Sequence, residues 1–577
     1  MEDQQRNLII AIALSALVFV GWQALMGKRV QHAPTPVASE QTAPAPTAAP
    51  VPPGAPVPRA DTSDALPDAP RLKIDTPRLK GSISLAGGRI DDLVLSDYYE
   101  TVEHKTPVTL LSPAGSATPY FVEFGWTAQD GAVAVPTSKT VWTAASDHPL
   151  TPDSPVVLTW DNGAGLVFER TISVDANYLF KIVQKATNHG ASPVVLRPYG
   201  TVVRVNPPTI KEAFGPSPSV AGVFNDALEE VSYKDLAEKG TRDYQSRGGW
   251  VGMNDRYWLV AAAPPADETI AAAMHDAKSD SVDRYSAEYQ GPPDLIAPNA
   301  TAEETSQLFA GAKEQRLLDQ YEEKNGITRL DRTVDFGSFY LIAKPFSAAL
   351  AYIGQKLKGF GIVGSFGIAI LVFNVGLKII LFPLQDRSFH QMARMRDLQP
   401  KIAQLKERFG DDREKFATAQ MELFRREKIN PASGCLPQLA QIPIFFALYR
   451  VLVTSIEMRQ APFYGWVHDL SAPDPTTIFN LFGLVPFTPP AVLMIGAWPI
   501  LYGLSLFLQQ KMTPTPTTDP TQQRIMMAMP LIFLFVFKSF PVGLMIYYVW
   551  NNLLTIGQMA LIRRRAARRK AQTPDAA

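Results

Sequence analysis

The run "FNVGLKIILFPL", 373–384, carries one positive charge, Lys378, among apolar side chains. It lies inside a 23-residue apolar segment, Ile362–Leu384, and about 20 such residues cross a bilayer. An ammonium at the bilayer centre costs roughly 2.5–3.5 kcal/mol on insertion scales, so it must either reach an edge or serve a purpose. The edge is within reach, since Leu384 is six residues on, about 9 Å of helix that a lysine stem largely spans. An inward-facing charge would instead need polar company. Asn374 lies one turn back on the same face, Gln438 and Gln441 enter the next apolar run, and Tyr547, Tyr548, Asn551, Asn552 and Gln558 populate the last one. Polar side chains in several spans are costly unless they face one another or water, which points to a hydrophilic groove between helices.

Motifs for other chemistry are missing. The seven His residues form no H-E-x-x-H, there is no Walker A lysine loop and no nucleophile elbow, and one Cys, Cys435, makes neither a zinc site nor an intrachain disulfide. No enzymatic activity, metal or cofactor is therefore expected. "GFGIVG", Gly359–Gly364, matches the dinucleotide pattern, with Asp386 about 20 residues on. That fingerprint needs a strand before it, whereas an amphipathic stretch precedes it here. It reads as a turn from the interface into the bilayer.

The elements that would position a groove follow from charge and hydropathy. Residues 1–360 hold 32 Lys and Arg against 42 Asp and Glu, a formal −10, and residues 361–577 hold 23 against 13, a formal +10. The two parts live in different surroundings. Residues 1–27 read as a retained transmembrane anchor, because the apolar run is long for a signal core and Lys28 and Arg29 follow it. Residues 28–70, rich in Pro and Ala, read as an extended tether. Residues 71–330 show short β-type runs broken by turn residues, such as Asp161-Asn162-Gly163, and predict an all-β sandwich. Within them, the polar stretch Thr301–Lys324 is expected to be helical. Residues 336–358 read as an amphipathic helix lying at the interface. Further spans are expected at 362–384, 436–453, 491–509, 525–540 and 543–562, making six with the anchor.

Basic residues set the orientation. The segment Asp386–Asn430 has 11 Lys and Arg against 8 acids, the loop 510–524 has Lys511 and Arg524, and the tail "RRRAARRK" has six, while the connector 457–490 has only Arg459. Both termini, the 385–430 segment, the 510–524 loop and the 563–577 tail are thus expected in the cytoplasm, and the β domain outside. The 385–430 segment reads as a helical hairpin turning at 410–412, with Met395, Leu398, Ile402, Leu405 and Phe409 at helical steps and Phe416, Met421 and Phe424 on the return. Its Met392, Met395, Arg394 and Arg396 are candidate contacts for varied partners, without specific nucleic acid.

The run "NPASGCLPQLAQIPIFFALYRVL", 430–452, with "EMRQAPFYGWVHDLSAPDP", 457–475, "QQKMTPTPTTDPTQQRIMMAMPLIF", 509–533, and "FPVGLMIYYVWNNLLTI", 540–556, resembles the signature segments of the YidC membrane protein insertase family. The signature positions are Asn430, Pro431, Gly434, Cys435, Pro437 and Pro443. The resemblance covers the whole chain and looks like the long form of the bacterial inner membrane. It implies a polytopic α-helical membrane protein of six transmembrane helices, five forming the insertase core, with a large all-β periplasmic sandwich domain. It further implies a groove that takes nascent membrane proteins and releases their helices into the lipid bilayer, alone or with the Sec translocon, with the ribosome as a partner. The family carries a basic residue, usually Arg, five positions before a Pro in its second span; here Lys378 precedes Pro383 at that distance. The competing reading is a secondary transporter using Lys378 as substrate or proton site, although the internal repeats common in transporters are missing.

Overall fold

Alternating apolar residues fold the chain between Arg71 and Ala312 into β structure, and its pleats sort into two antiparallel sheets. The structure is a computed structural model and describes residues 69–128, 133–208, 215–279, 282–410, 412–427, 436–483, 485, 489–490, 494–512 and 520–572. The anchor and nearly all of the tether lie outside the described residues. The first sheet runs Arg71–Asp75, Leu79–Ser84, Arg89–Tyr99, Tyr120–Ala128, Val194–Val205, Val282–Gln290, Thr269–Ser279 and Arg242–Arg247, with Pro107–Leu111 and Asp294–Ile296 added beside it. The second runs Ala227–Ser232, Ser219–Phe224, Trp250–Asn254, Trp258–Ala263, Thr301–Ala312, Leu179–Asn188, Leu166–Val174, Val156–Asp161 and Thr143–Ala144. Val122, Val202 and Ala287 of the first sheet, and Val251, Val260 and Phe309 of the second, are fully buried, forming the apolar core expected of a sandwich.

The hairpin at Asp161-Asn162-Gly163 forms where the sequence places it. Asp161 Oδ1 accepts from the Gly163 N–H at 2.8 Å and Asn162 Oδ1 from Ala164 and Leu166, while Gly163 takes the positive φ of +70° that only glycine adopts freely. The helix expected over Thr301–Lys324 is half wrong. Thr301–Ala312 is a strand held on both sides, by Leu179–Asn188 and Trp258–Ala263, and only Gln315–Asn325 is helical. Two neighbouring ladders outweigh the weak local preference of a polar segment.

Beyond the sandwich the chain is helical: α1 (Tyr233–Lys239) and α2 (Gln315–Asn325) belong to the sandwich, followed by α3 (Tyr340–Gly359), α4 (Ser365–Asp397), α5 (Gln399–Phe409), α6 (Arg413–Arg426), α7 (Leu436–Thr454), α8 (Ala497–Met512), α9 (Pro520–Phe537) and α10 (Val542–Gln572). α3 runs straight through Lys344-Pro345, burying Leu350 and Gly354 and exposing Leu341 and Tyr352. Gly361 and Gly364, both with positive φ, turn the chain from helix α3 into helix α4, so no strand precedes "GFGIVG". Among the described residues one helix is long and apolar enough to cross a membrane, Ser365–Gln391; Ala440–Thr454 and Met527–Phe537 are shorter apolar stretches. α8 starts at Ala497, six residues later than the expected 491, and α10 continues through most of the basic tail to Gln572.

The hairpin is present as the end of α4, α5 and α6, with Asp412 capping α6 by accepting from Lys415 N at 3.1 Å. Met395, Leu398, Ile402 and Phe424 form its core, with Phe416 and Leu423 packed against them. Met421 is 52% exposed and takes no part in that core.

Inside the sandwich, Glu304 is buried, and burial first, then the adjacent Glu268, hold its carboxyl well above the ordinary range. The folded state therefore keeps a proton that an unfolded chain gives up, so the contribution is full at low pH and fades as pH rises through the native value. Thermal unfolding of the full chain in detergent should show a midpoint that falls between about pH 6 and about pH 9, and Glu304→Gln should remove that fall, a difference on the order of 2 kcal/mol. An unchanged slope in the variant would refute the assignment.

Candidate functional site

One stripe of α4 is polar and turned inward. Asn374 is fully buried, Gln385 and Ser388 nearly so, while Ile379 and Ile380 are 69% and 74% exposed. Residues 374, 378, 385 and 388 are spaced by 4, 7 and 3, which is one helix face, and α10 packs along α4. Asn374 Nδ2 donates to the Tyr547 carbonyl at 3.0 Å. One turn further along α4 and two turns further along α10, Lys378 Nζ donates to Thr555 Oγ1 at 2.7 Å, and Thr555 donates in turn to the Asn551 carbonyl at 2.7 Å. Gln441 of α7 donates to the Tyr547 hydroxyl at 3.2 Å. The three helices α4, α7 and α10 thus meet on a shared polar strip.

That strip is under-satisfied by protein. Asn374 Oδ1, Gln385 Oε1, Ser388 Oγ and Gln558 Nε2 are buried without a hydrogen-bond partner among the described residues. Lys378 forms no ion pair with a described carboxylate; Thr555 is its partner. Buried polar atoms left in this state cost about 1–3 kcal/mol each, so the strip is chemically matched to water or to polar groups of a bound chain.

The sequence reading placed Lys378, Asn374, Gln441, Tyr547 and Asn551 together, and all five adjoin this strip, Asn551 through its carbonyl. Tyr548 also reaches Gln441, at the edge of the strip. Its ring lies 5.6 Å from Tyr502 and 5.7 Å from Phe445, inside a cluster that includes Phe537 and Phe540. For Gln438 and Pro437 only the helical backbone is described, and the same holds for Met392 and Arg396. Asn430, Pro431, Gly434 and Cys435 lie outside the described residues; Pro443 sits half-buried inside α7. Arg394 is exposed, but Met395 is 7% exposed and packs into the hairpin core, so it is no surface contact. Thr555, Ser505, Gln385 and Ser388 were missed. Gln385 lies seven residues from Lys378 and Thr555 four from Asn551, which was the available signal; Ser388 and Ser505 had none. Asn552 Nδ2 donates to Ser505 Oγ at 3.0 Å and pins α10 to α8.

The opposite end is closed by the connector. Val542 and Gly543, whose N–H groups open α10, donate to Ala472 and Leu470 carbonyls at 2.8 and 3.0 Å. Asp474 caps α8: Oδ2 accepts from Trp498 N at 2.8 Å, and Oδ1 accepts from the Thr476 amide and hydroxyl and from Trp466 Nε1. Arg459 and Gln460 both donate to the Tyr99 carbonyl, at 2.6 and 3.0 Å, joining the connector to the sandwich.

A β-sandwich followed by helices that put apolar side chains out and polar ones in defines a membrane protein with an extramembrane domain. The comparisons specify it. Residues 71–349 match the family model for the YidC periplasmic domain and residues 359–570 the model for the 60Kd inner membrane protein. A membrane protein insertase YidC from Rhizobium etli is 43% identical over 584 residues, covering 98% of this chain and 96% of its own. One from Nitrobacter hamburgensis is 44% identical over 590 residues, with the same coverage. The chain belongs to the YidC family of bacterial inner membrane proteins. A galactose mutarotase-like protein from Lactobacillus casei matches 42% of this chain and 100% of its own, at 10% identity and a TM-score of 0.26, too distant to bear on function.

Removing the Asp474 carboxylate would orphan the Trp498 amide of α8 and three connector donors at once. Asp474→Ala should destabilise the protein by about 3 kcal/mol, read as a lowered unfolding midpoint in detergent, whereas Asp474→Asn, which keeps one acceptor oxygen, should lose roughly half of that. Equal midpoints for Asp474→Ala and the unaltered chain would remove the capping role.

Proposed function

We propose that this chain is a membrane protein insertase and chaperone that receives the polar end of a nascent membrane protein on the α4–α7–α10 strip and releases its apolar helix into the bilayer. The observation that carries the reading is the inversion of α4. Ile379 and Ile380 are exposed where lipid would lie, while Asn374 and Ser388 are buried with polar atoms left for a guest. The family supports the same reading, since the relatives at 43% and 44% identity are named insertases. For the same reason the transporter reading is set aside.

In this proposal the chain crosses the membrane six times, with both termini cytoplasmic and the sandwich periplasmic, following the distribution of basic residues between loops. The anchor at 1–27, α4, α7, α8, α9 and α10 are the spans, and α3 lies at the interface. Lys378 attracts acidic segments that must cross, Asn374, Gln441, Tyr547 and Asn551 keep the strip hydrated, and Gln438 and Tyr548 border it. The basic hairpin, with Arg394 exposed, faces the ribosome, and insertion proceeds alone or beside the Sec translocon. No reaction is catalysed and no cofactor is used.

The test is insertion of a substrate with an acidic translocated segment into vesicles depleted of the native insertase. Lys378→Ala should lower insertion about tenfold, equivalent to about 1.4 kcal/mol, with the unfolding midpoint of the variant barely moved. Lys378→Arg should stay within about twofold, because the charge is kept. Full insertion by Lys378→Ala would sink the required charge.

A further inference from the structure

The connector between Glu457 and Pro490 holds one basic residue, Arg459. Its guanidinium lies 5.3 Å from the Trp258 ring centre and 5.7 Å from that of Tyr257, and its hydrogen bond goes to a neutral carbonyl, that of Tyr99. Burial holds it below the usual guanidinium range against the opposing charges of Asp469 and Glu100, and among the described residues no carboxylate lies in direct ion-pair contact with it. Arg256 lies over the same Tyr257 ring at 5.0 Å and donates to the Val453 carbonyl at 2.6 Å.

Both guanidiniums line a cavity of about 410 Å³ whose wall also includes Glu100, Gln460, Asp469 and Ser471. The Ser471 hydroxyl accepts from Tyr257 OH at 3.3 Å and donates to Asp469 at 2.7 Å. Val453, near the end of α7, and Pro541, just before α10, complete one side, so the cavity opens where two proposed spans leave the membrane outward. A desolvated guanidinium with no carboxylate in direct contact matches a phosphodiester, which it can bind with two parallel bonds. Two carboxylates in the same wall match an ammonium. Both charges on one small group, at headgroup depth, describe a zwitterionic phospholipid.

We propose that this cavity binds the headgroup of one outer-leaflet aminophospholipid, with its phosphate on Arg459 and its ammonium between Glu100 and Asp469. The lipid would bridge the sandwich to the outer ends of α7 and α10. The proposal rests on the topology proposed above, which places these ends at the outer face.

The experiment places the full chain in nanodiscs of equal phosphatidylethanolamine and phosphatidylcholine, transfers it to mild detergent, and counts retained lipid by native mass spectrometry. One phosphatidylethanolamine per chain is expected, and Arg459→Gln should lower its retention about tenfold. Because Arg459 also holds Tyr99, Asp469→Asn provides a variant that leaves that contact in place; it should shift retention from phosphatidylethanolamine toward phosphatidylglycerol when the latter is supplied. No retained lipid, or equal retention in both variants, overturns the site. Displacement of the lipid by inorganic phosphate alone identifies a free-phosphate site and overturns the lipid. Labelling of Ser539→Cys by a membrane-impermeant thiol reagent reads the topology separately, and failure to insert a test substrate would strike the insertase reading while leaving the lipid count untouched.

Discussion

The structure depends on one constraint: inside a bilayer a polar group has no water to fall back on, so it must be paired within the protein or face a hydrated cavity. α4 and α10 meet it together. Asn374 reaches a backbone carbonyl of α10, and one turn on Lys378 reaches Thr555, which reaches the Asn551 carbonyl. Partner numbers rise together along the two helices, so they run parallel and in a fixed register. A slip of one residue would rotate Lys378 by about 100° away from Thr555 and leave a charge against lipid. The pairing therefore fixes how the helices sit. The atoms it leaves unpaired, Asn374 Oδ1 among them, are what a guest chain can use.

A strip open to polar guests is of use only if it does not leak outward, and two kinds of packing oppose that. Aromatic rings from α7, α8, α9 and α10 crowd together, with Phe445, Tyr502, Phe537 and Tyr548 at centre distances of 5.2 to 6.4 Å, each pair adding about 0.5–1.5 kcal/mol beyond burial. Beyond them the connector hydrogen-bonds the first amides of α10 and, through Asp474 and Thr476, those of α8. Helix amino termini carry unsatisfied donors and a partial positive charge. Supplying acceptors from one loop to two such termini closes both with few residues.

Much of this was legible in sequence because it has a period or a sign. Apolar length located α4, α7, α9 and α10, and an isolated lysine pointed to the strip. Turn chemistry at Asp161-Asn162-Gly163 was equally local. What escaped was set by partners distant in sequence. Thr301–Ala312 looked helical in isolation and is a strand because two other strands claim its backbone. Tyr548 was expected in the groove like Tyr547, and it does reach Gln441, but its ring also joins the aromatic cluster of Phe445, Tyr502 and Phe537, a packing that depends on three other helices. Met395 looked like a free contact until Phe424 returned from α6 to cover it. Thr555 went unnoticed because threonine inside a helix ordinarily bonds its own backbone, as it also does here.

The lysine at 378 has a physical consequence of its own. An arginine fork fixes two parallel bonds to a planar acceptor, while an ammonium is a compact charge with three rotatable donors. One of those donors is spent on Thr555, which holds the side chain along the strip without neutralising it. Two remain to follow an acceptor that moves. A surface that must hold many different polar segments, each briefly, is served by attraction without fixed geometry, since a rigid bidentate clamp gains its strength by selecting one shape. In the proposed insertion cycle, release of the guest then requires only that its apolar helix prefer lipid to the strip. The exposed Ile379 and Ile380, beside Lys378 on the same helix, mark where that lipid begins.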